Sequence, residues 1–250
     1  INQKEIVSVD LSSDESVEQA LAHIKRLHGN RIASVIHLAA YYSFAKKHSD
    51  QYESVTVKGT ERLLKGLKNF DVEQFLFTST MLVHAPTKPG TPITEESPIV
   101  PSWDYPLSKV RTENLIHKMR GNIPTVILRV AGVYDDQCHS IPISNQIQRI
   151  YEKKLEAHFF PGHVDHGSSF VHMNDLVDAI SLAVDQRKSL PPELTLLIGE
   201  PHTLSYDEFQ KKISQLLYHR DFKTIRVPKW FAKLGSWLQC AIAFRHKPFI

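Results

Sequence analysis

Short apolar segments alternate with amphipathic segments through the first 130 residues, and this alternation limits the fold more than any other feature of the sequence. Runs typical of strands occupy Glu5–Val9, Ser34–Leu38, Gln74–Thr78 and Thr125–Leu128. Apolar residues at helical spacing occupy Ser16–Leu27, Ser49–Phe70 and Tyr105–Met119. The run Ser34–Leu38 is apolar on both faces, which is typical of a covered parallel sheet. The sequence therefore predicts an α/β protein with a doubly wound parallel sheet.

The alternation changes after Tyr134. Helical patterns are predicted at Ile143–Lys153, Asn174–Val184, Ser205–Leu217 and Pro228–Phe244. Short strands are predicted at His158–Phe160, Phe170–His172, Leu194–Ile198 and Thr224–Val227. A chain of 250 residues is long enough for one large domain with a smaller lobe, and we interpret the second half as that lobe.

Three residues around the third strand form a candidate catalytic set. Tyr105 and Lys109 are four residues apart on a predicted helix, so they lie on one face about one turn from each other. An ammonium near a phenol stabilises the phenolate and is expected to lower the pKa of the tyrosine, as an acid/base acting on an alcohol or ketone requires. The hydroxyl of Thr80, at the end of the strand, is placed to hold the same substrate oxygen. The neighbouring Ser79 either assists or caps the strand.

This stretch resembles the catalytic segment of the extended short-chain dehydrogenase/reductase family, the NAD-dependent epimerase/dehydratase group. The family pattern is a strand ending in Ser/Thr, a Glu-x-x-Pro-x-x-Pro loop and Tyr-x-x-x-Lys; the loop here is Glu95–Pro101, and Glu113 follows the lysine. The resemblance implies a Rossmann-type fold with a small C-terminal substrate lobe. It assigns residues 1–135 and 168–184 to dinucleotide binding, and residues 136–167 and 185–250 to substrate binding.

Further segments match family motifs that touch a dinucleotide. The resemblance implies cofactor-binding roles for Asp10, Leu11, Leu38, Ala39, Ala40, Thr56, Thr78, Tyr105, Lys109 and Val133. Thr56 stands where the family usually has Asn. The implied cofactor is NAD or NADP.

Two family features are missing from the sequence. The strand and Gly-x-x-Gly-x-x-Gly loop that receive the pyrophosphate at a helix N-terminus do not occur. Only nine residues precede Asp10, and the chain begins at Ile1 rather than Met, so we interpret it as an internal portion of a longer protein. The Arg that nucleotide-sugar epimerases commonly have before Phe170 is replaced by Ser169, which weakens a nucleotide-sugar interpretation.

Composition narrows the possible partners and compartments. The formal net charge of +3 comes without a Lys/Arg cluster, so nucleic acid is not expected as a partner. No apolar run of about 18 residues is present, and the two cysteines suggest no disulfide framework, which favours a cytoplasmic protein. Four histidines, His158, His163, His166 and His172, match no compact ligand spacing, so no metal is expected.

Several alternatives stay open at this point. The substrate is a small molecule, either a sugar or an apolar sterol- or isoprenoid-like alcohol. A dinucleotide-binding subunit without turnover is the rival to an enzyme. The amphipathic segment Trp230–Phe244 either packs on the lobe or contacts a membrane surface. The resemblance also implies a homodimer through the helices Ser49–Phe70 and Tyr105–Met119.

Overall fold

The computed structural model describes residues 6–43, 48–88 and 90–228. Helices α1 to α6 span Asp14–His28, Lys58–Leu67, Asp104–Met119, Ile141–Tyr151, Met173–Asp185 and Tyr206–Tyr218. Strands β1 to β10 span Arg31–Ile32, Val35–His37, Asp71–Val72, Phe75–Thr80, Thr125–Val130, Gly132–Tyr134, Phe159–Phe160, Phe170–His172, Glu193–Ile198 and Ile225–Arg226. Short 3₁₀ turns lie at Met81–Val83 and Leu155–His158, and a π-helical turn lies at Tyr52–Val57.

The described residues form two compact units. The first unit contains the described residues of 1–87, 92–131 and 173–199, and the second those of 88–91, 132–172 and 200–250. These boundaries differ from the predicted domains, because β8 belongs to the second unit and β9 to the first. The binding role predicted for each domain stays a prediction.

A four-stranded parallel sheet in the order β2-β4-β5-β9 forms the centre of the first unit. In its register Thr80 pairs with Val130, and Val130 pairs with Ile198, so the carboxyl ends of β4, β5 and β9 lie level. Parallel strands are joined by crossover connections, which usually contain a helix. The predicted α/β class with a parallel sheet is confirmed.

Burial of both faces explains why β4 is nearly continuous in apolar residues. Phe75, Leu76 and Phe77 are each fully buried. Phe75 and Phe77 pack into one core cluster with residues of α1, α2, α3 and β5, namely Val17, Leu21, Leu64, Leu67, Ile116 and Ile127. This cluster fixes the position of α3 relative to the end of β4.

Two predicted elements differ from the structure. Residues 6–9 form no strand, and no other described segment pairs with them, so their backbone lacks the neighbour that a strand needs. The predicted helix Ser49–Phe70 is present, but it begins with the π-helical turn Tyr52–Val57 and its α-helical part ends at Leu67. The segment Trp230–Phe244 lies outside the described residues.

The second unit is built on two small parallel ladders and two helices. β6 pairs with β8, and β7 pairs with β10. A separate core of Ile150, Ala157, Ile213 and Phe222 joins α4 to α6. Among the described residues, no helix is long and apolar enough to cross a membrane.

Candidate active site

Thr80 ends strand β4 and at the same time begins the 3₁₀ turn that follows. Its Oγ1 accepts a hydrogen bond from the Leu82 N–H at 3.3 Å, as an N-cap residue does. The side chain is buried. Strand end and cap together fix the hydroxyl at the carboxyl edge of the sheet, where α/β proteins place their ligands.

Tyr105 lies in the first turn of α3, and its hydroxyl hydrogen-bonds to Thr80. The two hydroxyls are therefore neighbours, and their predicted contact with a substrate oxygen stays a prediction. The predicted lowering of the tyrosine pKa is wrong: burial raises the pKa of Tyr105 to about 12, the nearby Tyr42 adds to the rise, and the Thr80 hydrogen bond opposes it. Desolvation disfavours the phenolate more than the neighbouring groups stabilise it.

Lys109 lies one turn further along α3 and is only 2% exposed. Its Nζ donates to the Thr78 carbonyl oxygen at 2.7 Å and lies 4.7 Å from the ring centre of Phe77 and 5.8 Å from that of Tyr105. Burial lowers the pKa of Lys109 to about 8, against the opposing charge of Glu113. The ammonium is thus held beside the phenol, as the spacing predicted.

A buried ion pair is connected by a hydrogen bond to the carboxyl end of strand β4. Arg129 on β5 donates to both carboxylate oxygens of Glu113 on α3, with Nη2–Oε2 at 2.8 Å and Nε–Oε1 at 3.3 Å. Glu113 also accepts a hydrogen bond from the Ser79 hydroxyl, next to Thr80. Arg129 Nη1 lies 3.2 Å from His84 Nε2, and His84 Nδ1 lies 2.9 Å from the Ser97 carbonyl oxygen. Ser79 therefore has a structural role in this network, and its assistance in catalysis stays a prediction.

Aromatic rings that the sequence analysis did not identify surround Tyr105. Tyr42 meets the Tyr105 ring edge-on at 4.7 Å between ring centres, Trp103 lies at 5.5 Å and Tyr52 at 6.5 Å. Tyr42 follows the end of β2, and Trp103 is the residue before α3. Tyr42 and Trp103 lie outside regular elements, so they show no periodicity in the sequence. The sequence signal that could have identified them is their closeness to Ala39-Ala40 and to Tyr105.

A chain of hydrogen bonds connects the loop after β2 to helix α2. The Tyr41 N–H donates to Thr56 Oγ1 at 2.9 Å, and the Thr60 hydroxyl donates to the Thr56 carbonyl oxygen at 2.7 Å. His37 Nε2 lies 2.9 Å from Thr60 Oγ1, so Nε2 carries the proton, because the Thr60 hydrogen is already used. Burial, followed by the charge of Lys109, lowers the pKa of His37 to about 4. Thr56 is fully buried and supports this loop, while its predicted cofactor contact stays a prediction.

The other predicted cofactor residues are spread over both units. Leu38 and Ala39 are exposed just after β2, and the Thr78 hydroxyl reaches the His37 carbonyl oxygen at 3.5 Å. Asp10 accepts from the N–H and hydroxyl of Ser12 at 2.8 and 2.7 Å, which lowers its pKa and makes it a turn residue. Leu11 lies against Gly59 of α2, where an added Cβ would be 2.9 Å from Leu11 Cβ. Val133 is in β6 of the second unit.

The residues at the sheet edge fit one end of a nicotinamide dinucleotide. Among the described residues, the one hydrogen bond of Lys109 goes to Thr78, so the buried ammonium has further N–H donors for hydroxyl oxygens of a ribose. The small, exposed Ala39 after β2 lets a ligand approach the backbone. A glycine-rich turn for the pyrophosphate does not occur in the sequence.

The second unit contains a cavity of about 880 Å³, within the size range of small-molecule sites. Aromatic side chains line much of it, and Phe160 stacks on Tyr206 with 3.8 Å between ring centres. Its polar lining includes Glu200, whose Oε1 accepts from the Tyr134 hydroxyl at 2.6 Å, and Arg149, which donates to Gln146 Oε1 at 2.8 Å.

The histidines considered in the sequence analysis contact other rings. His158 stacks on Phe222 at 4.2 Å, and the rings of His163 and His166 lie 5.3 Å apart. Among the residues that the structure describes, no group of three or more His, Cys, Asp or Glu side chains is arranged to hold a metal ion.

Comparison with known proteins identifies the family. The sequence model of the NAD dependent epimerase/dehydratase family matches residues 1–199. The chain belongs to this family. The resemblance inferred from the Thr80, Tyr105 and Lys109 pattern is confirmed.

Curated relatives include a UDP-glucose 4-epimerase and a short-chain dehydrogenase/reductase. The chain is 26% identical over 194 residues to a UDP-glucose 4-epimerase of Lacticaseibacillus casei, covering 70% of this chain and 58% of the relative. It is 25% identical over 237 residues to short-chain dehydrogenase/reductase family 42E member 1 of Xenopus laevis, covering 84% of this chain and 58% of the relative. The chain thus spans a little over half the length of these relatives.

Solved structures confirm the Rossmann-type fold. The UDP-glucuronic acid 4-epimerase of Bacillus cereus, crystallised with UDP-glucuronic acid and NAD, matches 90% of this chain and 67% of its own, with a TM-score of 0.67 and 20% identity. An epimerase structure from Burkholderia cenocepacia matches 91% of this chain and 74% of its own, with a TM-score of 0.68 and 18% identity. At these identities the likeness concerns the fold.

Proposed function

We propose that this chain carries the catalytic centre of an NAD(P)-dependent oxidoreductase or epimerase that acts on a secondary alcohol or ketone. The observation that carries the proposal is the hydrogen bond between the hydroxyls of Tyr105 and Thr80 at the sheet edge, with the Lys109 ammonium buried beside them. Two hydroxyls joined by a hydrogen bond, with an ammonium 5.8 Å from the centre of the Tyr105 ring, suit an oxygen atom that exchanges a proton.

Each residue has a separate role in this proposal. Thr80 holds the substrate oxygen, and Tyr105 exchanges a proton with it. Because burial raises the pKa of Tyr105 to about 12, its phenol is protonated near neutral pH and is the form that donates to a carbonyl oxygen. Lys109 binds ribose hydroxyls and places a positive charge beside the phenol, which favours loss of the proton. A bound nicotinamide supplies or accepts the hydride.

The cofactor assignment rests on the family and on the fit of Lys109 and the segment 38–40. The family is described as NAD dependent, and the Bacillus cereus epimerase was crystallised with NAD. Asp10, Leu11, Thr56, Thr78 and Val133 complete the proposed cofactor contacts. The choice between NAD and NADP is part of the test.

Substrate binding is assigned to the cavity of the second unit. Its aromatic lining suits an apolar molecule such as a sterol- or isoprenoid-like alcohol, and Arg149 on its wall suits a charged group such as the diphosphate of a nucleotide sugar. A panel of UDP-sugars set against a panel of hydroxysteroids separates these two substrate classes.

The decisive experiment compares Tyr105→Phe and Thr80→Ala with the unchanged full-length protein. The absorbance of NADH or NADPH is followed with each UDP-sugar and each hydroxysteroid of the two panels. Loss of the phenol is expected to lower kcat by at least roughly 100-fold, since general acid/base catalysis contributes about 10² to 10⁴. Tyr151→Phe is the matched control, because Tyr151 is 65% exposed and lies on α4 in the second unit.

The rival interpretation, a dinucleotide-binding subunit without turnover, gives a different result. The full-length protein would then bind NADH and show no turnover with any panel member. Turnover that survives Tyr105→Phe unchanged would refute the assignment of the proton donor.

Assembly and location are also part of the proposal. We place the protein in the cytoplasm as a homodimer paired through the helices that contain Tyr52–Leu67 and Asp104–Met119. Sedimentation velocity tests the dimer. Binding of the full-length protein to anionic lipid vesicles tests the alternative membrane contact through Trp230–Phe244.

A further inference from the structure

The rings of Tyr42 and Trp103 form an aromatic wall beside the proposed proton donor. Their centres lie 4.7 and 5.5 Å from the centre of the Tyr105 ring, and 6.2 Å from each other. The Tyr42–Tyr105 pair is nearly perpendicular, at 84°. These are favourable geometries for aromatic pairs, so the three rings hold one another in place.

Part of the wall is accessible to solvent. Tyr42 is 44% exposed and Trp103 is partly exposed, although both pack on a mostly buried tyrosine. A large aromatic side chain left accessible next to a reactive group is a surface on which a ligand can bury apolar area. Tyr52, the third ring near Tyr105, is buried and has no such accessible surface.

The backbone holds both residues of the wall. The Tyr41 N–H is bound by the buried Thr56 side chain at 2.9 Å, which fixes the chain next to Tyr42. The Trp103 carbonyl oxygen accepts from the Leu107 N–H at 3.1 Å, in the first turn of the helix that carries Tyr105. A ligand therefore meets an aromatic surface that is already ordered, which reduces the entropy lost on binding.

We propose that Tyr42 and Trp103 are specificity-determining residues, which contact the carbon ring that bears the reacting oxygen and select cyclic over open-chain alcohols and ketones. This proposal rests on the proposed function and names the substrate class of that site. The wall presents aromatic carbon faces. A flat or chair-shaped apolar ring covers such a surface with C–H bonds, whereas an open chain of equal carbon number covers less of it and loses more rotational freedom.

The test measures the reduction of two ketones of ten carbon atoms, trans-2-decalone and 2-decanone, by the full-length protein with NADH or NADPH. Tyr42→Ala and Trp103→Ala are each expected to lower kcat/KM for the decalone about tenfold, and that for the decanone less than about threefold. Tyr42→Phe keeps the ring and is expected to retain the selectivity. Tyr151→Ala is the matched control, since Tyr151 is 65% exposed and lies on α4 in the second unit.

Binding is measured separately from turnover. In the Tyr105→Phe background, calorimetric titration with trans-2-decalone is expected to show about tenfold weaker binding when Tyr42→Ala or Trp103→Ala is added. Thermal unfolding of each variant identifies any that fail to fold, and for those Trp103→Phe and Tyr42→Leu replace the alanine variants, with an expected loss of roughly threefold.

The outcomes separate this proposal from the proposed function. Decalone binding that weakens in the wall variants, without any Tyr105-dependent turnover, supports the wall and refutes the catalytic assignment. Tyr105-dependent turnover with equal losses for both ketones, or with no loss, refutes the wall and leaves the catalytic assignment standing. Failure of the unchanged protein to bind or reduce either ketone also refutes the wall.

Discussion

The buried pair of Arg129 and Glu113 gives a sharp stability prediction. The side chains are 11% and 10% exposed, and two hydrogen bonds join the guanidinium to the carboxylate. Arg129→Met removes the cation and leaves the Glu113 charge with the Ser79 hydroxyl as its remaining partner from this network. Breaking a buried pair in this way costs about 3–5 kcal/mol of unfolding free energy.

Urea unfolding at pH 7, followed by circular dichroism, measures this loss. For a protein of this size about 3–5 kcal/mol corresponds to a fall in Tm of roughly 6–20 °C. Glu113→Leu combined with Arg129→Met removes both charges and is expected to recover most of the loss, because the desolvation penalty disappears with the charges. Lys65→Met is the control: the pair of Lys65 with Glu61 is 2.7 Å long but exposed, and its removal costs about 0.5 kcal/mol or less.

Two results would refute this reasoning. One is a loss of less than about 1 kcal/mol for Arg129→Met, which would mean that the carboxylate is solvated. The other is a double variant no more stable than the single one, which would mean that shape and not charge determines the stability at this position.

Two further predictions concern pH and packing. Folding lowers the pKa of Lys109 from its ordinary value of 10.5 to about 8. Between pH 8 and pH 10.5 the unfolded chain therefore keeps a proton on Lys109 that the folded chain has lost. The stability of the unchanged protein relative to Lys109→Met is therefore expected to rise by about 2 kcal/mol from pH 8 to 9.5 in urea unfolding, and a flat difference would contradict the pKa. Gly167→Ala places a Cβ against the Leu204 carbonyl oxygen beside the Gly167–Ser205 bridge and is expected to cost about 1–3 kcal/mol in the same measurement. Ser168→Ala, the exposed neighbour, should have little effect, and equal effects of the two would show that the contact is relieved at no cost.

The fold of the first unit was predictable where burial leaves a pattern in the sequence. Strand β4 is apolar at consecutive positions because helices and sheet cover both of its faces. The strand predicted at Glu5–Val9 has a similar composition, but a strand also needs a neighbour, and residues 6–9 have none among the described residues. The position of β9 beside β5 could not be read from the sequence, because 62 residues separate the end of β5 from the start of β9.

The closeness of Tyr105 and Lys109 was predictable because helical spacing links the two residues. Tyr105 and Lys109 are neighbours on any α-helix, whereas the ion pair of Glu113 with Arg129 joins different elements and leaves no local pattern. The direction of the Tyr105 pKa was predicted wrongly, because spacing shows the neighbouring charge but not the loss of water around the phenol.

The π-helical turn at Tyr52–Val57 has a consequence for how this site can diverge. An α-helix closes its hydrogen bonds over four residues and a π-helix over five, so the wider turn takes up one additional residue without moving the helix that follows. The same turn carries Tyr52 toward Tyr105 and Thr56 toward the backbone of Tyr41. Insertion or deletion of a single amino acid there is expected to shift the backbone of Tyr41, while Thr80 at the end of β4 and Tyr105 on α3 keep their places. Under the proposed function, the residues that contact the substrate ring and those that transfer the proton therefore lie on separate segments, and the first can change without the second.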